Sequence, residues 1–470
     1  MIDIVLATIN AKWIHPSLAL RLLQANLGDL AGRSRILEFA LRQPLKEKLE
    51  PILEETPRVL ALSVYIWNHK ATLALLEALE ASWLEKGSPR PVIVLGGPEV
   101  SYLPENAPLV RKADWVVRGE GELVFRALAE EILTGKPLES LDQYGTVSGK
   151  WIIAKPVPLD AIQRAYHLYT DEDIGRKLIY VEASRGCPFG CEFCLSSLDR
   201  RVRELPLEQF LADMDRLLAR GARAFKFLDR TFNLDCRRAE IILTFFLKRI
   251  QAPAYVHFEM VPSRFPDTLR ELLKQFPPGT LRLEVGIQTF TPEVARTIGR
   301  PSNPEKEQEA LRFLREETQA IVHADLIAGL PGETLESFAR SFNLLWAVRP
   351  TEIQLGILKK LPGTPLARHD GPFTMHYSED PPYEVLETGS FSRAELDSVK
   401  NFARFWELIV NRGHFDALVP PLVGKTEDPF GAFMDLSRYL LDRFGKNWGI
   451  DRGELRQALE DWCRINNRSA

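Results

Sequence analysis

Cysteine is scarce in this chain, with five in 470 residues. An odd number cannot all pair, which excludes a complete disulfide framework and fits a reducing compartment. Long apolar runs are missing too. No stretch approaches the ~20 unbroken apolar residues of a membrane span, and MIDIVLATINAKWIHPSL has no basic region ahead of an apolar core. A cytoplasmic location without a membrane partner is therefore expected. The net charge is only -4 and Lys and Arg are scattered, apart from RRVR at 200–203, so nucleic acid is not an expected partner. G-x-G-x-x-G is absent, which argues against a dinucleotide. Internal repeats and low-complexity segments are absent as well.

The length is enough for two or three domains, each with its own core. Within it, three of the five cysteines, Cys187, Cys191 and Cys194, crowd into SRGCPFGCEFC (184–194). Zinc usually takes four ligands, and neither a second cysteine pair nor a histidine is near in sequence. Three thiolates at C-x3-C-x2-C spacing instead suit three irons of a [4Fe–4S] cluster, leaving the fourth open to a non-protein ligand. Gly186 and Gly190 let the loop curl around it. Cys236 and Cys463 read as structural thiols, and two leftover cysteines are too few for a second cluster.

The cysteines follow KLIYVEAS (177–184), a β-branched run that predicts a buried strand. Further strands are predicted at 224–229, 254–260, 281–287, 321–330 and 352–358, with helical patterns between them. Six β/α units imply a partial parallel (β/α)6 barrel with its chemistry at the carboxyl ends of the strands. Ahead of it, strands at 2–8, 35–40, 59–65, 92–97 and 114–119 alternate with helical patterns. That pattern predicts a doubly wound parallel sheet, with a ligand at the strand ends. The stretch 143–167 reads as a hairpin and a Pro-containing connection. After a turn-rich segment at 369–392, helices are expected at 393–412, 430–445 and 453–465. The aromatics Phe402, Phe405, Trp406, Phe430, Phe433, Tyr439 and Trp448 read as core rather than as a cofactor box.

Cys187, Cys191, Phe193 and Cys194 resemble the C-x3-C-x-aromatic-C signature of radical S-adenosylmethionine (SAM) enzymes. GIQTF (286–290), TIGR (297–300), DLIAGLPGET (325–334) and LPGTP (361–365) extend the likeness over about 177–366. The resemblance implies SAM chelating the open iron and being cleaved reductively to a 5′-deoxyadenosyl radical, with electrons from a flavodoxin- or ferredoxin-type donor. It also implies that Phe193 borders the adenine and that Glu259, Gln288, Arg300 and Asp325 contact SAM. Asp229 and Thr231 of FLDRTFN stand where relatives carry a Gly-rich SAM-binding segment, a departure from the pattern.

LGGPEVSYLPE (95–105) and VVRGEGE (116–122) resemble the cobalamin-binding domain that precedes this barrel in one large subfamily. Ser63, Gly96, Gly97, Gly119 and Gly121 would then let backbone approach the corrin and its nucleotide tail. His15 falls near the histidine of the D-x-H-x-x-G motif of cobalamin methyltransferases, but Trp13 and Leu18 replace its Asp and Gly. Two roles are open for His15: cobalt ligand, or a pocket residue near the corrin face.

The expected organisation is a cobalamin-binding domain at 1–135, a linker at 136–176, a radical SAM barrel at 177–366 and a helical accessory domain at 367–470. The leading expected activity is methylation of an unactivated carbon of a small-molecule or peptide substrate. Two alternatives stay open, a cobalamin-assisted rearrangement or cyclisation and a non-catalytic cobalamin or redox sensor.

Overall fold

Strand formation in the first third follows from residues apolar on both faces. In β1 (Ile4–Asn10), Val5, Ala7 and Ile9 point into one core, shared with Leu60 and Leu62 of β3 (Val59–Ser63). Ile4 and Leu6 point into the other, with Val59 and Ala61. Such two-sided burial requires helices on both faces, which the intervening segments supply. With β2 (Ser34–Ala40), β4 (Val92–Gly96) and β5 (Trp115–Arg118) these strands form a parallel sheet. Two more strands, β6 (Gly145–Ser148) and β7 (Trp151–Ala154), complete the order β2-β1-β3-β4-β5-β7-β6. The hairpin expected inside the connecting stretch thus continues the sheet, because β7 pairs in parallel with β5 (Val117 opposite Ile152).

This computed structural model describes residues 2–135, 138–424 and 426–466. Its second sheet holds β8 (Ile179–Val181), β11 (Ala224–Phe227), β12 (Tyr255–Met260), β13 (Leu281–Gln288), β14 (Ile321–Ala328) and β15 (Glu352–Ile357), all parallel, in the order β15-β14-β13-β12-β11-β8. Among the described residues β8 and β15 do not pair, so the barrel is open. A two-residue antiparallel pair, β9 (Ser184–Arg185) with β10 (Arg203–Glu204), closes the base of the cysteine loop.

Helices Arg393–Trp406, Pro429–Phe444 and Arg452–Ile465 follow. Phe402, Trp406, Phe430 and Phe433 pack edge-on and stacked among themselves and against Phe342 and Trp346 of helix Leu335–Val348, so their core is continuous with the barrel's outer layer. Phe405 is buried with them, Tyr439 is half-buried, and Trp448 is exposed. No helix among the described residues is long and apolar enough to cross a membrane.

Candidate functional site

The carboxyl ends of the two sheets open into two adjoining cavities. The smaller, about 260 Å³, is lined by Cys187, Cys191, Phe193, Cys194, Glu259, Gln288, Arg300 and Asp325. Every SAM-contacting residue expected from the sequence except Asp229 is therefore in one place. Each arrives from a different element: Glu259 on β12, Gln288 closing β13, Asp325 on β14, and Arg300 after the short helix Pro292–Thr297.

Local geometry aims these groups inward. Gln288 has φ +70°, a left-handed conformation uncommon for a side chain of its size, at a register shift between Gly286 and Gln288. Arg300 donates from Nε to the Ile287 carbonyl at 3.1 Å and from Nη2 to that of Gly286, while its Nη1 lies 4.0 Å from Cys191 Sγ. Glu259 pairs with Arg230 at 3.0 Å. Asp325 Oδ1 is shut off from solvent with no partner. Burial, reinforced by Glu284 and Glu259, pushes its carboxyl up to about 8. Glu284 behaves oppositely: His257, 3.3 Å away, and Lys226, at 3.1 Å, outweigh burial and hold it down at about 2.

Asp229 is not brought to this cavity. It is buried behind the cysteine loop, accepting from the Ala183 amide at 2.9 Å and from Ser184 Oγ at 2.6 Å, and it lines a separate space of about 160 Å³. Burial pushes it up to about 7. Its role is to hold the strand leading into the loop. Thr231 lines both spaces. Sequence reasoning missed Arg230 and Glu284, whose signal was available: both are charged residues at or near predicted inward strand positions.

The larger cavity, about 450 Å³, collects Ser63, Gly96, Gly97, Gly119 and Gly121 with Tyr65, Tyr102 and Phe125. Two of the glycines are demanded by the backbone. Gly97 has φ +103°, and an added Cβ would stand 2.5 Å from the Val64 carbonyl oxygen, while Gly119 has φ +98°. Gly121 has an ordinary φ of -84°, and Gly96 would meet nothing closer than 3.8 Å. His15 does not line this cavity. Its Nδ1 meets Tyr180 Oη of β8 at 2.9 Å.

One short element divides the two cavities. In the single helical turn Leu195–Leu198, Leu195 and Leu198 line the larger cavity, while Ser196 and Ser197 line the smaller. The turn has 3₁₀ geometry, in which residues three apart share a side, so the split follows from the sequence LSSL. Beside it Arg185 pairs with Glu122 (2.6 Å) and Glu182 (2.7 Å), and Arg203 donates to Glu120 at 3.0 Å. The Arg185–Glu122 and Arg203–Glu120 pairs join the N-terminal domain to the β9/β10 base of the cysteine loop, while Glu182, just after β8, holds Arg185 in place. Buried pairs of this kind set orientation more reliably than they add stability.

The donor set fits the groups expected from the sequence. Among the described residues no three His, Cys, Asp or Glu side chains converge on one point as a single metal ion requires. A cubane cluster presents separate irons to separate thiolates, so three cysteines spread along one cavity wall suit it. The partnerless Asp325 oxygen, the Glu259 carboxylate and the Arg300 guanidinium offer complements to hydroxyls, an ammonium and a carboxylate, the groups SAM carries. The larger cavity is mostly apolar, with glycines at its edge that leave room for close backbone approach, and suits the aromatic base of a corrin's nucleotide tail.

Comparison with known proteins agrees. Residues 4–129 match the B12 binding domain, 181–345 the Radical SAM superfamily, and 371–469 a Protein of unknown function (DUF4080). An uncharacterized methyltransferase, PH0819, of Pyrococcus horikoshii is 29% identical over 292 residues, 58% of this chain and 62% of that relative, so the match spans less than two-thirds of its length. The radical SAM methyltransferase TsrM from Kitasatospora setae superposes with a TM-score of 0.62 at 19% identity, covering 80% of this chain and 79% of that one. The cobalamin-dependent SAM radical enzyme OxsB gives 0.67 at 16% identity, over 100% of this chain and 76% of its own. One polypeptide thus carries a B12 binding domain, a domain of the Radical SAM superfamily, a family that uses a [4Fe–4S] cluster and SAM, and a C-terminal DUF4080 domain, on a fold it shares with the cobalamin-dependent SAM radical enzyme OxsB.

Proposed function

We propose that this protein transfers a methyl group to an unactivated carbon of a small-molecule or peptide substrate. The observation that carries the reading is the shared wall: the turn Leu195–Leu198 borders both cavities, so a substrate seated against it is within reach of both. When bound, the cluster with SAM supplies a 5′-deoxyadenosyl radical and cobalamin supplies the methyl group. Cys187, Cys191 and Cys194 hold the cluster, and Phe193, Glu259, Gln288, Arg300 and Asp325 hold SAM. Ser63, Gly96, Gly97, Gly119 and Gly121 bring backbone against cobalamin. His15, engaged by Tyr180 outside the cavity, acts as a brace between the domains rather than as a cobalt ligand. Leu195, Leu198 and Leu228 face the larger cavity and keep water from the reacting carbon. Electrons come from a flavodoxin- or ferredoxin-type donor.

The reading is supported by the two cavities and by the methyltransferase names of PH0819 and TsrM. Its test is the product pair from SAM. The full chain, reconstituted anaerobically with iron, sulfide and hydroxocobalamin and then reduced, should form both S-adenosylhomocysteine and 5′-deoxyadenosine. The Cys187→Ala/Cys191→Ala/Cys194→Ala variant should lose its iron and form no 5′-deoxyadenosine. 5′-Deoxyadenosine without S-adenosylhomocysteine would point to rearrangement or cyclisation. Neither product from fully loaded protein would point to a sensor.

A further inference from the structure

The segment that leads from the barrel into the domain of unknown function (371–469) touches the two loops that border the cavities. After β15 the chain runs from Lys360 through the turn Pro365–His369 and the small pair β16 (His376–Tyr377) and β17 (Val385–Glu387). At its start Gly363, φ +88°, lies flat on the ring of Tyr102, so close that any added Cβ would run into the ring. Tyr102 lines the larger cavity and carries the Arg118 guanidinium 4.1 Å from its ring centroid. At its end Tyr383 Oη donates to Glu99 at 2.5 Å, a carboxylate that also meets His69 Nδ1 at 2.7 Å and is only 3% exposed. Glu99 and Tyr102 both belong to LGGPEVSY, the loop that carries Gly96 and Gly97.

The middle of the segment reaches the other cofactor loop. Glu192, between Cys191 and Cys194, is 6% exposed and is held by Arg368 and by His369 Nε2 at 2.7 Å. Its amide donates to the Ile298 carbonyl at 3.0 Å, so the cysteine loop is fixed from the TIGR turn on one side and from Arg368 and His369 on the other. Phe373 packs on the His369 ring, and Lys360 pairs with Asp370, which closes the segment on itself. Neither Glu192 nor Glu99 is among the residues lining either cavity. Both are buried carboxylates; this segment supplies Arg368 and His369 to Glu192 and Tyr383 to Glu99.

We propose that residues 360–383 form a positioning strap: through Glu192 it orients the loop of Cys187, Cys191 and Cys194, and through Tyr102 and Glu99 it orients the glycine loop of the larger cavity. Glu192, Arg368, His369, Gly363 and Tyr383 are positioning residues. Seating of the C-terminal domain thereby sets how the two cofactor loops face each other. The proposal rests on the cluster assignment above and does not depend on methyl transfer.

The test uses the full chain reconstituted with iron, sulfide and hydroxocobalamin. Arg368→Ala, whose side chain is 62% exposed and whose loss leaves the core intact, should keep four irons per chain. It should change the EPR g values of the reduced cluster with SAM and move its midpoint potential; Arg368→Lys should restore most of both. Glu192→Gln should reproduce the Arg368→Ala effect. Gly363→Ala should weaken hydroxocobalamin binding about tenfold and leave the cluster spectrum of SAM-bound protein at its parental g values. Parental spectra and potential in Arg368→Ala and Glu192→Gln, with parental hydroxocobalamin affinity in Gly363→Ala, would overturn the strap. Retention of iron by the triple cysteine variant would instead overturn the cluster assignment on which it rests.

Discussion

At the scale of single residues, Asp325 is the group whose ionisation the fold opposes most clearly. Its folded-state value of about 8 stands far above the ordinary 3.8, because burial and the neighbouring Glu284 and Glu259 penalise the anion. A raised folded value means that the folded state binds the proton more tightly. The stabilisation is complete below about pH 4 and lost as pH rises through about 8. Asparagine mimics the protonated form. In cofactor-free protein, Asp325→Asn should match the parent's melting temperature only below about pH 4 and exceed it increasingly up to about pH 8, by a difference on the order of a few kcal/mol. Equal pH dependence in the two proteins would refute this environment. Glu259, Gln288, Arg300 and Asp325 were legible in sequence because each stands in or beside a recognisable motif near the end of a β/α unit, whereas Arg230 and Glu284 of the same cavity carry no such motif. Asp229 also stands at a strand end, yet it turns away, since Ala183 N and Ser184 Oγ capture it. No spacing rule distinguishes a carboxylate facing the barrel mouth from one capping the neighbouring strand.

At the scale of elements, the turn Leu195–Leu198 follows the last cysteine and decides what the two cavities share. Because its leucines and serines face opposite sides, bulk added at one position should act on one cavity alone. Leu198→Trp should weaken hydroxocobalamin binding at least about tenfold while SAM still perturbs the cluster's EPR signal. Ser197→Trp should do the reverse. If both substitutions affect the same cofactor, the turn is not the partition. The strands were legible because buried parallel strands are continuous apolar runs. The LSSL turn was not, since four residues are too few for a period to show. Helix Leu45–Glu55 was faint for another reason: it is charge-rich and holds Pro51 in its interior. The left-handed Gln288 depends on a register shift between β13 and β14, a property of two strands that neither sequence carries alone.

At the scale of the whole molecule, the order of domains could be read, but the contacts between them could not. Gly363 on Tyr102, Glu192 with His369 and Glu99 with Tyr383 link positions 177 to 284 residues apart, and each residue taken alone looks like an ordinary turn glycine or surface charge. Long-range pairing of this kind is fixed by packing, so a motif search finds the two cofactor loops and misses what holds them together. In the proposed reaction both loops act together, moving a methyl group from SAM by way of the larger cavity. The most direct measurement is mass spectrometry of the corrin extracted, in the dark, from reduced holoprotein treated once with SAM carrying a deuterated methyl group. One deuterated methyl on the corrin is expected, matched mole for mole by S-adenosylhomocysteine and absent when Leu198→Trp keeps hydroxocobalamin out. An unlabelled corrin in protein that still cleaves SAM to 5′-deoxyadenosine would contradict it.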